Sequence, residues 1–210
     1  MEYKKHLIRC FLFDFDFNLF NVDIKQLVMK KYMILFPIEG QPGKAICTMM
    51  DNISVFTEKP QPYLKLITHM TFHRPIKGVD EKKLIDIATS AAKRLKKTRI
   101  TVSGLYHFGK KYIVLPVHAT LVVAMVWADL FKEVSQLPEY EHSPYDHDNA
   151  LHVTIGDDLV DVFDNVWKPI QENCIIDAMD ITVDKIDVWS KSNRKGSKWR
   201  RVKSIKLPDK

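Results

Sequence analysis

The sequence predicts an α+β fold in which one structural unit occurs twice, and three observations lead there. The tripeptide His69-Met70-Thr71 returns as His152-Val153-Thr154, each inside an apolar, strand-like stretch. An amphipathic run of helical spacing follows each copy. Each run then leads to the same three letters, Ile100-Thr101-Val102 and Ile181-Thr182-Val183, opening a β-type segment. Internal similarity at a fixed spacing marks duplicated architecture, so the chain reads twice as strand, helix, strand, strand.

Taken in order, residues 1–28 are an amino-terminal extension with no assigned role, and the domain proper spans residues 29–210. Lys31 to Ile38 reads as the first strand. Side chains alternate across a strand, so His69 and Thr71 share one face, as do His152 and Thr154. His73 joins that face only if its strand runs on. Pro75 argues that the strand is already ending, which leaves His73 at a strand end facing solvent. Asp80 opens a helix carrying Leu84, Ala88, Ala91 and Leu95 on one side. Ile100 to Val102 is expected to pair with Tyr112 to Val117. Tyr106, His107 and Phe108 supply hairpin packing before the turn at Gly109-Lys110. Ala119 to Trp127 is the most apolar run, too short for the roughly 20 residues that span a bilayer, and reads as a buried helix between two lobes. Pro138 to Asn149 is a polar loop leading into the His152 strand. Asp157 or Asp158 is expected to cap a helix whose apolar positions are Leu159, Val162, Phe163 and Val166. Ile181 to Val183 is expected to pair with Trp199 to Leu207, and Ser190 to Ser197 reads as a hairpin loop.

Composition sets limits. At 210 residues and 46% hydrophobic, the chain can bury a core without staples. Cys10, Cys47 and Cys174 are an odd number of dispersed thiols with no CxxC pair. They suit a reducing, cytoplasmic setting better than a disulfide framework or a zinc site. Asp14 and Asp16 interrupt the apolar run Cys10 to Phe13, which argues against a signal peptide. The formal charge of +6 is concentrated at the carboxyl end: residues 191–210 hold nine basic side chains against one acid, Asp209. A dense basic edge attracts polyanions such as a nucleic-acid backbone. It describes a solvated hairpin tip equally well.

The repeated tripeptides carry chemistry. Two imidazoles and two hydroxyls in one cleft provide proton transfer near neutrality and hydrogen-bond donors for phosphoryl oxygens. On these residues the chain resembles the 2H phosphoesterase superfamily, the LigT-like or 2′-5′ RNA ligase-like proteins. That resemblance implies a bilobal, pseudo-symmetric fold, with two antiparallel sheets facing a central groove and helices outside. It implies phosphodiesterase activity without cofactor or metal. The substrates implied are 2′-5′-linked or cyclic (oligo)nucleotides, including messengers of antiviral defence, with RNA 2′,3′-cyclic phosphate processing or end ligation as the alternative. His69, Thr71, His152 and Thr154 become the catalytic quartet, with His69 assigned as base and His152 as acid, roles that pseudo-symmetry allows to exchange. Phe72 and Ile155 fit the apolar position after each motif. Phe72, Arg74, Tyr145 and Trp199 are expected substrate contacts: Trp199 by stacking on a base, Tyr145 from the loop that also holds Tyr140, His142 and His147. The expected partner is a nucleotide or short oligonucleotide, with RNA second. No membrane and no obligatory protein partner are implied.

Two other readings compete. Phe13-Asp14-Phe15-Asp16-Phe17-Asn18 and Gly156-Asp157-Asp158 resemble short acidic motifs of magnesium-dependent haloacid dehalogenase-like phosphatases. The first also describes an amphipathic edge strand and the second a turn with a helix cap. The other reading is a nucleotide-binding module without catalysis, for which two matched proton-transfer groups serve no purpose.

Overall fold

The computed structural model describes residues 29–58, 68–142, 150–174 and 177–209. In chain order its elements are β1 (Lys30–Pro37), α1 (Gly40–Thr57), β2 (His69–Lys77), α2 (Glu81–Arg94), β3 (Thr98–Val102), β4 (Tyr106–Phe108), β5 (Tyr112–His118), α3 (Leu121–Ser135), β6 (His152–Gly156), α4 (Phe163–Asn173), β7 (Met179–Val183), β8 (Lys185–Ser192) and β9 (Arg200–Lys206). The order β1-α1-β2-α2-β3 repeats as β5-α3-β6-α4-β7, so the duplicated unit begins one strand and one helix before each His-x-Thr tripeptide.

The strands form two open antiparallel sheets, and the α+β expectation holds. The first runs β2-β1-β8-β9. In the second, β5 is central. β4 pairs with its residues 112–114 and β3 with 117–118, whereas β6 pairs with 113–116. Because β6 overlaps the span used by β4, it occupies the opposite edge of β5, and β7 lies beyond β3. Among the described residues each His-x-Thr strand is therefore an edge strand beside an almost wholly apolar one. β2 and β6 also approach each other within 8 Å between Cα atoms.

Faces follow from the two-residue period of the strands. Tyr32, Ile34 and Phe36 of β1, Ile113 and Leu115 of β5, and Ile186 and Val188 of β8 enter one continuous core shared by both sheets. Met33, Leu35 and Val114 are buried as well, yet lie outside that cluster. They mark the second face of each sheet. Strand β1 is buried on both sides, which explains its unbroken apolar run.

The helices close the core faces. α2 packs against β8 and β9, α1 against β6 and β7, with α3 beside α2 and α4 beside α1. Asp80 caps α2 as expected, its carboxylate accepting from the Lys83 amide at 3.0 Å. Leu84, Ala88, Ala91 and Leu95 are all buried. Arg94 binds Asp129 at 2.8 Å and Glu133 at 3.0 Å, joining α2 to α3.

Four local expectations are corrected. Ile181 to Val183 pairs with β3 rather than with the last strand, Ile100 lying opposite Ile181. The two repeated tripeptides thus pair with each other and bury both isoleucines, while β8 is a separate strand that takes β9 as its partner. Helix α3 is not enclosed between lobes. Val123, Val126, Leu130 and Val134 are buried, but Leu121, Val122 and Met125 stand 75%, 55% and 59% exposed, because only one stripe of a surface helix reaches the core. Helix α4 begins late, with Val162 rather than an aspartate at its N-cap. Leu159 is fully buried and opens a turn, its amide bound to the Lys111 carbonyl, and Asp158 takes the left-handed conformation at φ +58°. Finally, β2 continues through Pro75 to Lys77. An edge strand tolerates a proline where the ladder is irregular, and Tyr32 and Lys31 re-engage at Ile76 and Lys77. No helix among the described residues is long and apolar enough to cross a membrane.

Candidate active site

The two His-x-Thr tripeptides occupy matching places in their ladders. His69 lies opposite Pro37 and Thr71 opposite Leu35; His152 lies opposite Pro116 and Thr154 opposite Val114. Leu35 and Val114 are the second-face residues of the two central strands, so both threonines stand on the faces turned away from the shared core. Immediately after each threonine the register slips by one residue, at Phe72 before His73 and at Ile155 before Gly156. These are β-bulges, which insert one residue and bend the strand. The duplication thus extends to backbone irregularities that no periodicity announces.

The first bulge changes the fate of three expected residues. Phe72 is buried in the core with its ring 4.5 Å from that of Phe36, so it is a packing residue and does not line the His69 face. His73 is paired with Ile34, a core residue, and is buried rather than solvent-facing. It stacks on Phe131 at 5.3 Å and meets Tyr140 edge-on at 5.6 Å. The Arg74 guanidinium donates to the Tyr140 hydroxyl at 3.2 Å and the Glu141 carbonyl at 2.5 Å, anchoring the chain that leads toward β6. Trp199 sits in the β8–β9 hairpin, at the far end of the first sheet from His69. Tyr145 and His147, and the acidic motif at Asp14 and Asp16, lie outside the described residues.

The start of β2 is held firmly. Gly43 lets α1 come so close to the end of β1 that a Cβ there would stand 2.4 Å from the Ile38 carbonyl oxygen. In that corner the Thr68 hydroxyl bonds the Gly43 carbonyl at 3.3 Å and the Cys47 thiol at 3.1 Å, and the Ile38 amide bonds the Thr68 carbonyl at 2.7 Å. His69 follows directly and is buried.

His152 is fixed differently. Its Nδ1 lies 2.7 Å from the Ala150 carbonyl oxygen, which can only accept, so Nδ1 carries the proton and Nε2 holds the lone pair of the neutral ring. Phe108 packs against the imidazole with ring centroids 5.0 Å apart, and Tyr106 packs edge-on against Phe108 at 5.5 Å. Burial pushes the imidazole below its ordinary value of 6.5, a shift that the bond to Ala150 only partly opposes. His107, between those aromatics in sequence, stacks on Tyr106 at 5.7 Å and packs on Phe163 and Trp167. The hairpin expected as plain packing therefore reaches both the core, through His107 on Phe163, and His152, through Phe108. An aromatic alternation, Tyr106-x-Phe108, is the only sequence signal that could have revealed this wall.

The second face also holds a buried carboxylate that the sequence does not announce. Asp187 of β8 is paired with Leu35, which in turn is paired with Thr71, so the three form one cross-strand row on the second face. Its carboxylate is fully buried. Oδ2 accepts from Trp189 Nε1 at 3.4 Å and lies 3.7 Å from Arg201 Nη1, and Oδ1 has no hydrogen-bond partner among the described residues. A single aspartate in an alternating strand looks solvent-facing until its strand is placed at the centre of a sheet.

The sequence profile of the 2′-5′ RNA ligase superfamily matches residues 45–195, a span that contains both tripeptides. The chain belongs to the 2′-5′ RNA ligase superfamily. Among solved structures, the TT0787 protein of Thermus thermophilus superposes with a TM-score of 0.61 at 11% identity, covering 86% of this chain and 99% of that one. Escherichia coli LigT in complex with NADP+ gives 0.57 at 12% identity, covering 85% and 98%. LigT in complex with 3′-AMP gives 0.54 at 11%, covering 86% and 98%. At such identities the likeness shows the fold alone, which among the described residues is two antiparallel sheets with four helices. No curated protein matches the sequence. Membership of this 2H phosphoesterase family supports an activity of phosphodiesterase type.

Proposed function

We propose that the chain cleaves phosphodiesters by metal-independent acid/base catalysis at the seam between β2 and β6, with His69, Thr71, His152 and Thr154 as the reacting and holding groups. The observation that carries this reading is the matched register: two histidines opposite prolines and two threonines on the non-core faces of adjacent edge strands. His152 is better suited to the base, the reverse of the assignment made from sequence. Its lowered pKa keeps it neutral near pH 7, and its Nδ1–H tautomer leaves Nε2 free to accept a proton. His69 is then the acid.

For a 2′-5′ or 3′-5′ linkage, Nε2 of His152 removes the proton of the vicinal ribose hydroxyl. The hydroxyl oxygen bonds to phosphorus, and the bond to the leaving 5′ oxygen breaks as His69 protonates it. The products are a cyclic phosphate and a 5′-hydroxyl. For a 2′,3′-cyclic phosphate, water takes the attacking role and a ribose oxygen leaves. Thr71 and Thr154 donate hydrogen bonds to the non-bridging oxygens as charge builds. Phe108 and Tyr106 provide an aromatic wall for a base or ribose next to His152.

The substrates that fit this reading are 2′-5′-linked or cyclic (oligo)nucleotides, a chemical class that includes antiviral messengers. The second reading, RNA 2′,3′-cyclic phosphate processing, is favoured by the basic β8–β9 hairpin. Incubation with 2′-5′ oligoadenylate, 2′,3′-cyclic nucleotides and cyclic dinucleotides, with and without chelator, tests both. Turnover that survives chelator and disappears in His69→Ala and His152→Ala supports the reading. Turnover abolished by chelator and intact in both variants overturns it.

A further inference from the structure

The β8–β9 hairpin holds a feature that cleavage at the β2–β6 seam does not use. Its loop is closed on itself: the Ser197 amide bonds the Arg194 carbonyl at 3.0 Å, the Ser197 hydroxyl bonds the Ser192 carbonyl, and Gly196 takes a φ of +79°. The loop is also tied to the start of β1, where the Asn193 amide bonds the Met29 carbonyl at 3.3 Å. The loop is thus presented in a defined shape.

Two hollows flank this loop. One of about 740 Å³ is bordered by Lys30, Lys191, Lys198 and Arg200. Its neighbour, about 340 Å³, adds Lys31, Arg194 and Lys195. Trp199, half-buried, borders both. Among the described residues no acidic side chain lines either hollow. Lys30 is bound to Glu81 at 3.1 Å, and among the described residues Lys191, Arg194, Lys195, Lys198 and Arg200 pair with no acid.

Edge protection explains part of this charge. Among the described residues β9 is an outer strand, and Arg201, Lys203 and Lys206 along it discourage pairing with another chain. That reason does not reach the loop, which offers no ladder to protect, nor does it call for an indole between two cationic hollows. Such a combination, an aromatic platform flanked by cations, is how proteins hold single-stranded nucleic acid. The bases stack and the backbone phosphates lie against lysine and arginine.

We infer that the β8–β9 hairpin is a binding site for single-stranded RNA, with Trp199 stacking on a base and the surrounding cations holding phosphates. Its position gives it a role. β1 sets Pro37 opposite His69 and Lys30 opposite Ser192, so the hairpin stands about 23 Å from His69 at a rise of about 3.3 Å per residue. A dinucleotide is too short to touch both places, whereas a longer strand with its end at the seam reaches the hairpin. The choice of RNA rests on the phosphodiesterase reading; the site itself rests on the hairpin's own residues.

The test uses a fluorescent 2′-O-methyl oligoribonucleotide of twelve residues, which lacks the attacking hydroxyl and so reports binding without cleavage. Trp199→Ala should weaken binding about tenfold. Trp199→Phe, which keeps a stacking ring, should retain most of it and controls for folding. Lys195→Gln with Lys198→Gln should weaken binding and flatten the slope of log K against log salt by about 1.4, the value for two phosphate contacts on a single strand. Binding indifferent to all these changes overturns the site. So does a protein that binds vesicles of anionic lipid through Trp199 while ignoring the oligonucleotide. In parallel, wild-type cleavage of 2′-5′-linked diadenylate tests the catalytic reading separately: failed cleavage with hairpin-dependent binding sinks that reading alone, and cleavage with hairpin-independent binding sinks this one alone.

Discussion

His152 donates its Nδ1 proton to the carbonyl oxygen of Ala150, two residues back along the chain, at 2.7 Å. This short local bond fixes the tautomer before any substrate arrives, and burial keeps the ring neutral to lower pH than a free imidazole.

Two pH dependences follow. With His152 as base, the acid limb of kcat/KM falls below the ordinary imidazole value of 6.5, and an acid limb at or above it would assign the base elsewhere. Stability follows the same shift. A folded-state value below the unfolded one means that the unfolded chain takes up its proton first as pH drops. The contribution of His152 is therefore complete above 6.5 and is lost as pH falls through the folded value. Urea denaturation of wild type and His152→Ala at pH 7.5 and 5 measures it: the wild type should lose more stability between the two.

Thr71 and Thr154 are assigned as donors to the charge that develops on phosphorus oxygens. Replacing either by valine keeps the shape and removes the hydroxyl, so kcat should fall by about 100-fold, with serine restoring most of it. Steady-state kinetics on the best substrate decides this. An effect confined to KM would mean that the hydroxyl serves ground-state binding only.

Gly43 shapes the site at a distance. Because a Cβ there collides with the Ile38 carbonyl oxygen, Gly43→Ala must push α1 away from β1 and disturb the Thr68 corner that precedes His69. A loss of about 1–3 kcal/mol is expected from this overpacking. Thermal melts and kcat measured together should both decline, and a variant with unchanged kcat would show that His69 does not depend on that corner.

Arg201 Nη1 lies 3.7 Å from the buried carboxylate of Asp187. Removing the partner of a buried charge is costlier than removing the pair. Arg201→Met should therefore destabilise by about 1–2 kcal/mol, less than for a fully buried pair because Arg201 is half-exposed. Adding Asp187→Asn should recover part of the loss. Chemical denaturation of the double-mutant cycle gives the coupling, and strictly additive losses would rule it out.

The duplicated α+β plan, the His-x-Thr strands, the Asp80-capped helix and the family are all legible in the residues themselves. Each of these is written in short-range periodicity, a capping residue or a repeated motif, which need no knowledge of distant neighbours. Tertiary structure alone decided the register. Pairing of Ile100 with Ile181 rather than the last strand with Ile181, the bulge that sends His73 to Phe131 instead of the Thr71 face, and the burial of Asp187 beside Leu35 all depend on which strand lies next to which. A strand's own residues specify two faces. Only its neighbours in the sheet decide which face meets the core, because burial is a property of the assembled layers and a one-residue slip exchanges the two faces.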